Sequence, residues 1–162
     1  MYSDKFSPWI NWEKRNEVPR VNYPGIYIIA ISDNDISGYE FNWLTEIVYI
    51  GMTNSITGLK GRLQQFDNTI IGKTGHGGAD RVRFKYQNYD QLISNLYVAV
   101  SPFECSVKSN QPSDLRIMGN ITKFEYDCFA QFVEEFGFLP EFNNKKTSPK
   151  YSLTIARNNE IK

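Results

Sequence analysis

This sequence predicts an α+β domain, a small sheet of three strands flanked by helices, and three patterns carry that reading. Short runs rich in β-branched residues recur at 25–32, 46–51 and 95–103. Two other stretches, 57–70 and 120–138, space their apolar residues by threes and fours. The two kinds alternate without internal repeats, which is the order of a sheet covered by helices.

Each element has its own justification. GIYIIAIS (25–32) follows Pro24, which suits the start of a strand. SDNDISG (32–38) carries turn chemistry, and EIVYIG (46–51) resumes an extended pattern. TGLKGRLQQFDNTI (57–70) places Leu59, Leu63, Phe66 and Ile70 on one helical face. NLYVAVSPF (95–103) is the third strand, ended by Pro102. In NITKFEYDCFAQFVEEFGF (120–138), Asn120 is a candidate N-cap and Gly137 the stop.

At 162 residues the chain reads as one domain, 1–162, able to bury a substantial core. A segment of about 20 residues precedes the first strand, and a basic tail, about 144–162, follows the last helix. Apolar residues make up 41% and aromatics 15%, a globular composition. The N-terminus shows no apolar core of a secretory signal, and no run of about 18 apolar residues occurs. Cys105 and Cys128 lack metal-type spacing and read as reduced thiols of a cytoplasmic protein. One histidine, His76, excludes zinc sites built on two or three histidines.

Net charge is zero, but it is segregated. Residues 73–85, KTGHGGADRVRFK, hold Lys73, Arg81, Arg83 and Lys85 against Asp80. The tail is basic, whereas 123–141 holds Glu125, Asp127, Glu134, Glu135 and Glu141 against Lys123. Such a chain can turn one basic face to a phosphate backbone, with glycines holding the 73–85 cations on a loop. For the tail, scattered solvated charge is the plainer alternative.

Two side chains sit where charge is costly. At about 100° per residue, Ile121, Phe124, Cys128, Phe129, Phe132 and Phe136 form one stripe, and Glu125 falls near its middle. A carboxylate there is either paired with an arginine or serves as a metal ligand or catalytic group. Helix periodicity does not choose between these. Arg62 flanks the apolar face of its own helix, as Glu125's partner, a phosphate ligand or a plain surface arginine. A phosphate-loop reading of IIGKTG fails because Asp67 stands where that motif needs glycine.

Together with Gly25-Ile26-Tyr27 in one strand and Tyr49-Ile50-Gly51 in the next, these residues make the chain resemble the GIY-YIG nuclease superfamily. That family includes homing endonucleases, some restriction enzymes and the incision subunit of bacterial excision repair. Arg62 matches the arginine of the helix after the second strand, and Glu125 the metal-binding glutamate of a later helix. Pro140 and Asn143 match a Pro-x-x-Asn element, so the resemblance runs from about 25 to 143. It departs at an insert, 32–45, and at GKTGHGG, 72–78. There Lys73 or His76 is similar to residues that restriction-type members use near the scissile phosphate. An exposed loop histidine is the alternative for His76.

The resemblance implies a mainly antiparallel three-stranded central sheet and a DNA endonuclease using Mg2+ or Mn2+ held by Glu125. It implies catalytic roles for Tyr27, Tyr49, Arg62, His76 and Glu125. Tyr27 would position or deprotonate the attacking water, Tyr49 would bond the phosphate or water network, and Arg62 would neutralise developing charge. Gly25, Gly51 and Asn143 would support the site. Lys73, Arg81, Arg83 and Lys85 would meet double-stranded DNA. A type II restriction enzyme cutting both strands would act as a homodimer. The alternatives are a nucleic-acid-binding module without turnover and a structural protein in which Arg62 and Glu125 only hold the core.

Overall fold

The computed structural model describes residues 5–151, so Arg157 and Lys162 of the basic tail lie outside the described residues. Four strands, β1 (Ile10–Asn11), β2 (Gly25–Ile31), β3 (Ile47–Thr53) and β4 (Leu96–Pro102), form one sheet in the order β1-β4-β2-β3. Every pairing is antiparallel. The sheet thus has four strands where the sequence predicts three. β1 pairs only Ile10 with Val98 and Asn11 with Tyr97, and two residues are too few to leave a period-two pattern.

Among the described residues four α-helices complete the fold: α1 (Gly58–Ile71), α2 (Gly77–Lys85), α3 (Tyr89–Ser94) and α4 (Pro112–Phe136). α4 begins at Pro112, well before the expected Asn120, because proline suits a first turn whose N–H groups have no partner within the helix. It stops at Gly137, whose φ of 82° is the left-handed conformation that favours glycine. The 73–85 segment, expected as a loop, is mostly α2. His76 caps that helix, its Nδ1 accepting from Ala79 N–H at 3.1 Å.

Alternation along the strands builds two cores. Tyr27 and Ile29 face α1 and α2 with Leu59, Leu63 and Phe66. Ile26, Ile28 and Ala30 face α4 with Ile121, Phe124, Cys128 and Phe132. Trp9 and Trp12, ahead of the first expected strand, are buried in one core each. Asp67 of α1 accepts from Trp12 Nε1 at 2.7 Å and Tyr89 Oη at 2.9 Å, and pairs with Arg15 at 3.3 Å. That buried carboxylate is satisfied and ties the N-terminal segment to α1. Among the described residues, no helix is long and apolar enough to cross a membrane.

Candidate functional site

The register of β2 against β3 sets the site. Tyr27 lies opposite Gly51, and Ile29 opposite Tyr49. Because Gly51 has no side chain, the Tyr27 ring folds over its Cα, and a Cβ there would run into Tyr27 Cζ and Oη. The register shifts between Ile29 and Ala30, which leaves Val48 as an extra residue beside Tyr49. Such a bulge re-aims the side chains near it. The two phenol rings end with centroids 6.0 Å apart. Gly25 opens β2 opposite Pro102 of β4.

His76 joins them from α2. It is 1% exposed, not the exposed loop histidine that was the alternative. Its Nε2 lies 2.7 Å from Tyr27 Oη, and its ring is 5.6 Å from that of Tyr49 and 5.0 Å from Phe66. The Ala79 N–H occupies Nδ1, so a neutral ring carries its proton on Nε2 and donates to Tyr27. Burial, with Arg62's charge adding to it, brings His76 down from 6.5 to about 3, so the ring is neutral. A Cβ on Gly78 would strike the Tyr49 ring, so glycine there lets α2 pack under the tyrosine.

Burial pushes the Tyr27 phenol well above its ordinary value, and Tyr49 adds to this while Arg62 opposes it. Tyr49 is also raised by burial, with the charge of Arg62 and the neighbouring Tyr27 hydroxyl opposing. Tyr27 is fully buried, whereas Tyr49 lines two hollows. The first, about 320 Å³, is cationic, with Arg62, Arg81, Lys145 and Lys150 around Tyr49 and Asn143. The second, about 510 Å³, shares Tyr49, Asn143 and Lys145 but is walled by Glu125, Tyr126, Phe129 and Leu139.

β3 is an edge strand, and the site wraps around that edge. Asn143 closes it: Ile50 N–H donates to Oδ1 at 2.8 Å and Nδ2 donates to Ile50 C=O at 2.9 Å, as a neighbouring strand would. Arg62 reaches the edge from one face of the sheet and Glu125 from the other. The two do not pair: Arg62 donates to Gln65 Oε1 at 2.8 Å. Among the described residues neither a hydrogen bond nor an ion pair holds Glu125. Burial raises its carboxyl above the ordinary value, with Arg62's charge opposing. A half-buried carboxylate without a fixed partner, opening on a hollow, is placed to bind a cation.

A single carboxylate is a sparse donor set. Among the described residues no three His, Cys, Asp or Glu side chains converge as a metal cage. Mg2+ needs none, since it keeps several waters and is commonly held by one or two carboxylates plus substrate phosphates. Glu125 fits that pattern.

The expected DNA-facing cations have different partners. Arg81 lines the cationic hollow, its guanidinium donating to Ser148 C=O and Gly77 C=O, each at 3.0 Å. Arg83 stacks on Tyr151 at 4.1 Å. Lys85 pairs with Glu141 at 2.8 Å and lines a separate, larger hollow of about 650 Å³ beside Ser32 and Asn34. Lys73 is exposed in the turn before α2. On α2 Arg81 and Lys85 are one turn apart on the same face, whereas Arg83, two residues from each, turns to the other side, which a loop reading of 73–85 does not foresee. Lys145 and Lys150 were read only as part of the basic tail, and Tyr126, Phe129 and Leu139 were not read as site residues at all. Neither a family model nor a curated protein nor a solved structure matches this chain.

Proposed function

We propose that the protein is a GIY-YIG-type, metal-dependent endonuclease that hydrolyses phosphodiester bonds of double-stranded DNA. One observation carries the reading: Tyr27, Tyr49 and His76 form a buried cluster at a sheet edge, with Arg62 on one side and an unpaired Glu125 on the other. A purely structural Arg62–Glu125 pair would place the two in contact, and they are not.

In this reading Glu125 would hold Mg2+ or Mn2+, which when bound supplies Lewis-acid stabilisation of the phosphate oxygens. Tyr49 meets the attacking water or the phosphate, since it is the phenol that lines both hollows. Tyr27 acts behind it, aligned by His76. Arg62 neutralises charge on the pentacovalent phosphorus, and Arg81, Lys145 and Lys150 draw the backbone in. Water would add to phosphorus as it passes its proton to Tyr49 held as phenolate, a form that the charges of Arg62 and Arg81 favour against burial, and the 3′ oxygen would leave and take a proton from solvent. Asn143 holds the edge strand still during this.

The test is a supercoiled plasmid incubated with the protein and Mg2+, run beside an EDTA control. Metal-dependent nicking or linearisation supports the reading. Retarded but intact DNA would mean a binding module without turnover, and no interaction would return the cluster to a structural role. Discrete fragments from longer DNA, with a homodimer in sedimentation on that DNA, would support the finer reading of a type II restriction enzyme in the cytoplasm.

A further inference from the structure

We propose that the hollow beside Glu125 is a nucleobase subsite, which takes the base next to the scissile phosphate after it is turned out of the DNA stack. This deepens the endonuclease reading and rests on it. The two hollows share Tyr49, Asn143 and Lys145, so a group filling one is the immediate neighbour of a group filling the other. The first is walled by cations and suits a phosphate. The second presents Tyr126, Phe129 and Leu139, apolar faces that give a phosphate nothing. A nucleotide joins these two chemistries through a single sugar.

The aromatic wall has the form that a planar guest requires. Tyr126 and Phe129 meet edge to face, centroids 5.8 Å apart at 90°, so they do not stack on each other. Tyr126 is 69% exposed, Leu139 39% and the neighbouring Phe138 56%, an apolar patch against the one unpaired carboxylate of the site. Bases stack on such rings with little regard to sequence, because every base has a π-face. In a duplex those faces are covered by adjacent base pairs. Only an extruded base, or one already unpaired, can reach the wall. The Asn143 amide is spent on the Ile50 backbone, so the subsite is built for stacking more than for reading a base edge.

The experiment compares two DNA duplexes, alike except that a single bulged nucleotide carries adenine in one and is abasic in the other. Both have the same backbone freedom, and wild-type protein is used with Ca2+ in place of Mg2+ to keep the DNA whole. The adenine bulge is expected to bind about tenfold more tightly or better. Tyr126→Ala, at an exposed ring whose loss leaves the core intact, should remove that preference while leaving affinity for the abasic duplex unchanged. Leu139→Ala should reduce it. Equal affinity for the two bulges, or a preference that survives both substitutions, overturns the subsite. Equal affinities alongside metal-dependent cleavage would overturn the subsite alone, leaving the apolar patch to a protein partner. Absence of binding to either duplex would overturn the endonuclease reading with it.

Discussion

Replacing His76 by asparagine tests the site through its one titrating switch. His76 is the only histidine in the chain, so its ionisation can be read without ambiguity. Its pKa falls from 6.5 to about 3 on folding, chiefly through burial. A depressed pKa means that the unfolded chain binds the proton more readily. The stability this group contributes is therefore fully present above pH 6.5 and is lost progressively as pH falls toward 3. Between about pH 7.5 and pH 5 proton binding comes to favour the unfolded form over the folded one by about thirtyfold. That is a loss of about 2 kcal/mol. Glu125 works in the opposite sense, because a raised carboxyl takes up its proton in the folded state first. Comparing wild type with His76→Asn cancels that contribution. Asparagine keeps a capping oxygen for α2, does not titrate, and loses the bond to Tyr27. Urea denaturation should show wild type losing about 2 kcal/mol more than the variant across this interval. A proton NMR titration of wild type gives a second readout that survives even if the variant does not fold. The imidazole signal should stay fixed from about pH 8 to pH 5. A midpoint near the ordinary histidine value would refute both the buried neutral ring and the tautomer assigned to it.

Three shorter predictions bear on the rest of the site. Glu125→Gln should abolish metal-dependent cleavage while DNA binding persists, because charge is removed from a nearly isosteric side chain; cleavage near the wild-type rate would exclude Glu125 as the metal ligand. Gly51→Ala should cost about 1–3 kcal/mol in unfolding free energy, since the new methyl must displace the buried Tyr27 ring; a neutral effect would refute the packing of that ring on the glycine. Arg81→Ala should flatten the log–log salt dependence of DNA binding by about one unit, whereas Lys85→Ala, at a lysine paired with Glu141 beside a different hollow, should leave it unchanged.

The long strands and helices were legible because their patterns are long: seven-residue strands and helices of 14 and 25 residues leave a period to read. β1 was not, because two residues have no period. α2 was misread because Gly77 and Gly78 speak against a helix interior. Their value lies in tertiary packing under Tyr49, which sequence spacing does not carry. Glu125 was legible as a misplaced charge on an apolar stripe, but its freedom from Arg62 was not, since that depends on how two helices sit across a sheet edge. The mutual fit of Tyr27 and Gly51 was readable in composition and unreadable in geometry: only the strand register sets one against the other. Lys145 and Lys150 reach the site because the chain after Asn143 folds back to Arg81, a long-range contact without local signature.

The imidazole of His76 fixes Tyr27 in place, and access decides which phenol works on the substrate. Ala79 N–H fixes Nδ1 as an acceptor, so Nε2–H donates to Tyr27. Tyr27 keeps its own hydrogen, and its ring lies beside that of Tyr49, centroids 6.0 Å apart. Tyr27 is fully buried, so the phenol that can meet the substrate is Tyr49, which lines both hollows. His76 cannot take a proton at Nδ1 without giving up the cap of α2, so the imidazole holds Tyr27 in place and does not drain protons from the phenols. Tyr49→Phe should therefore lower the cleavage rate more than Tyr27→Phe. The double variant should be about as slow as Tyr49→Phe alone, because the two hydroxyls act as one unit. The measurement is single-turnover cleavage of a plasmid by the three variants at fixed Mg2+. Multiplicative losses, or a larger loss from Tyr27→Phe, would show that Tyr27 meets the attacking water directly and would break the ordering derived from access.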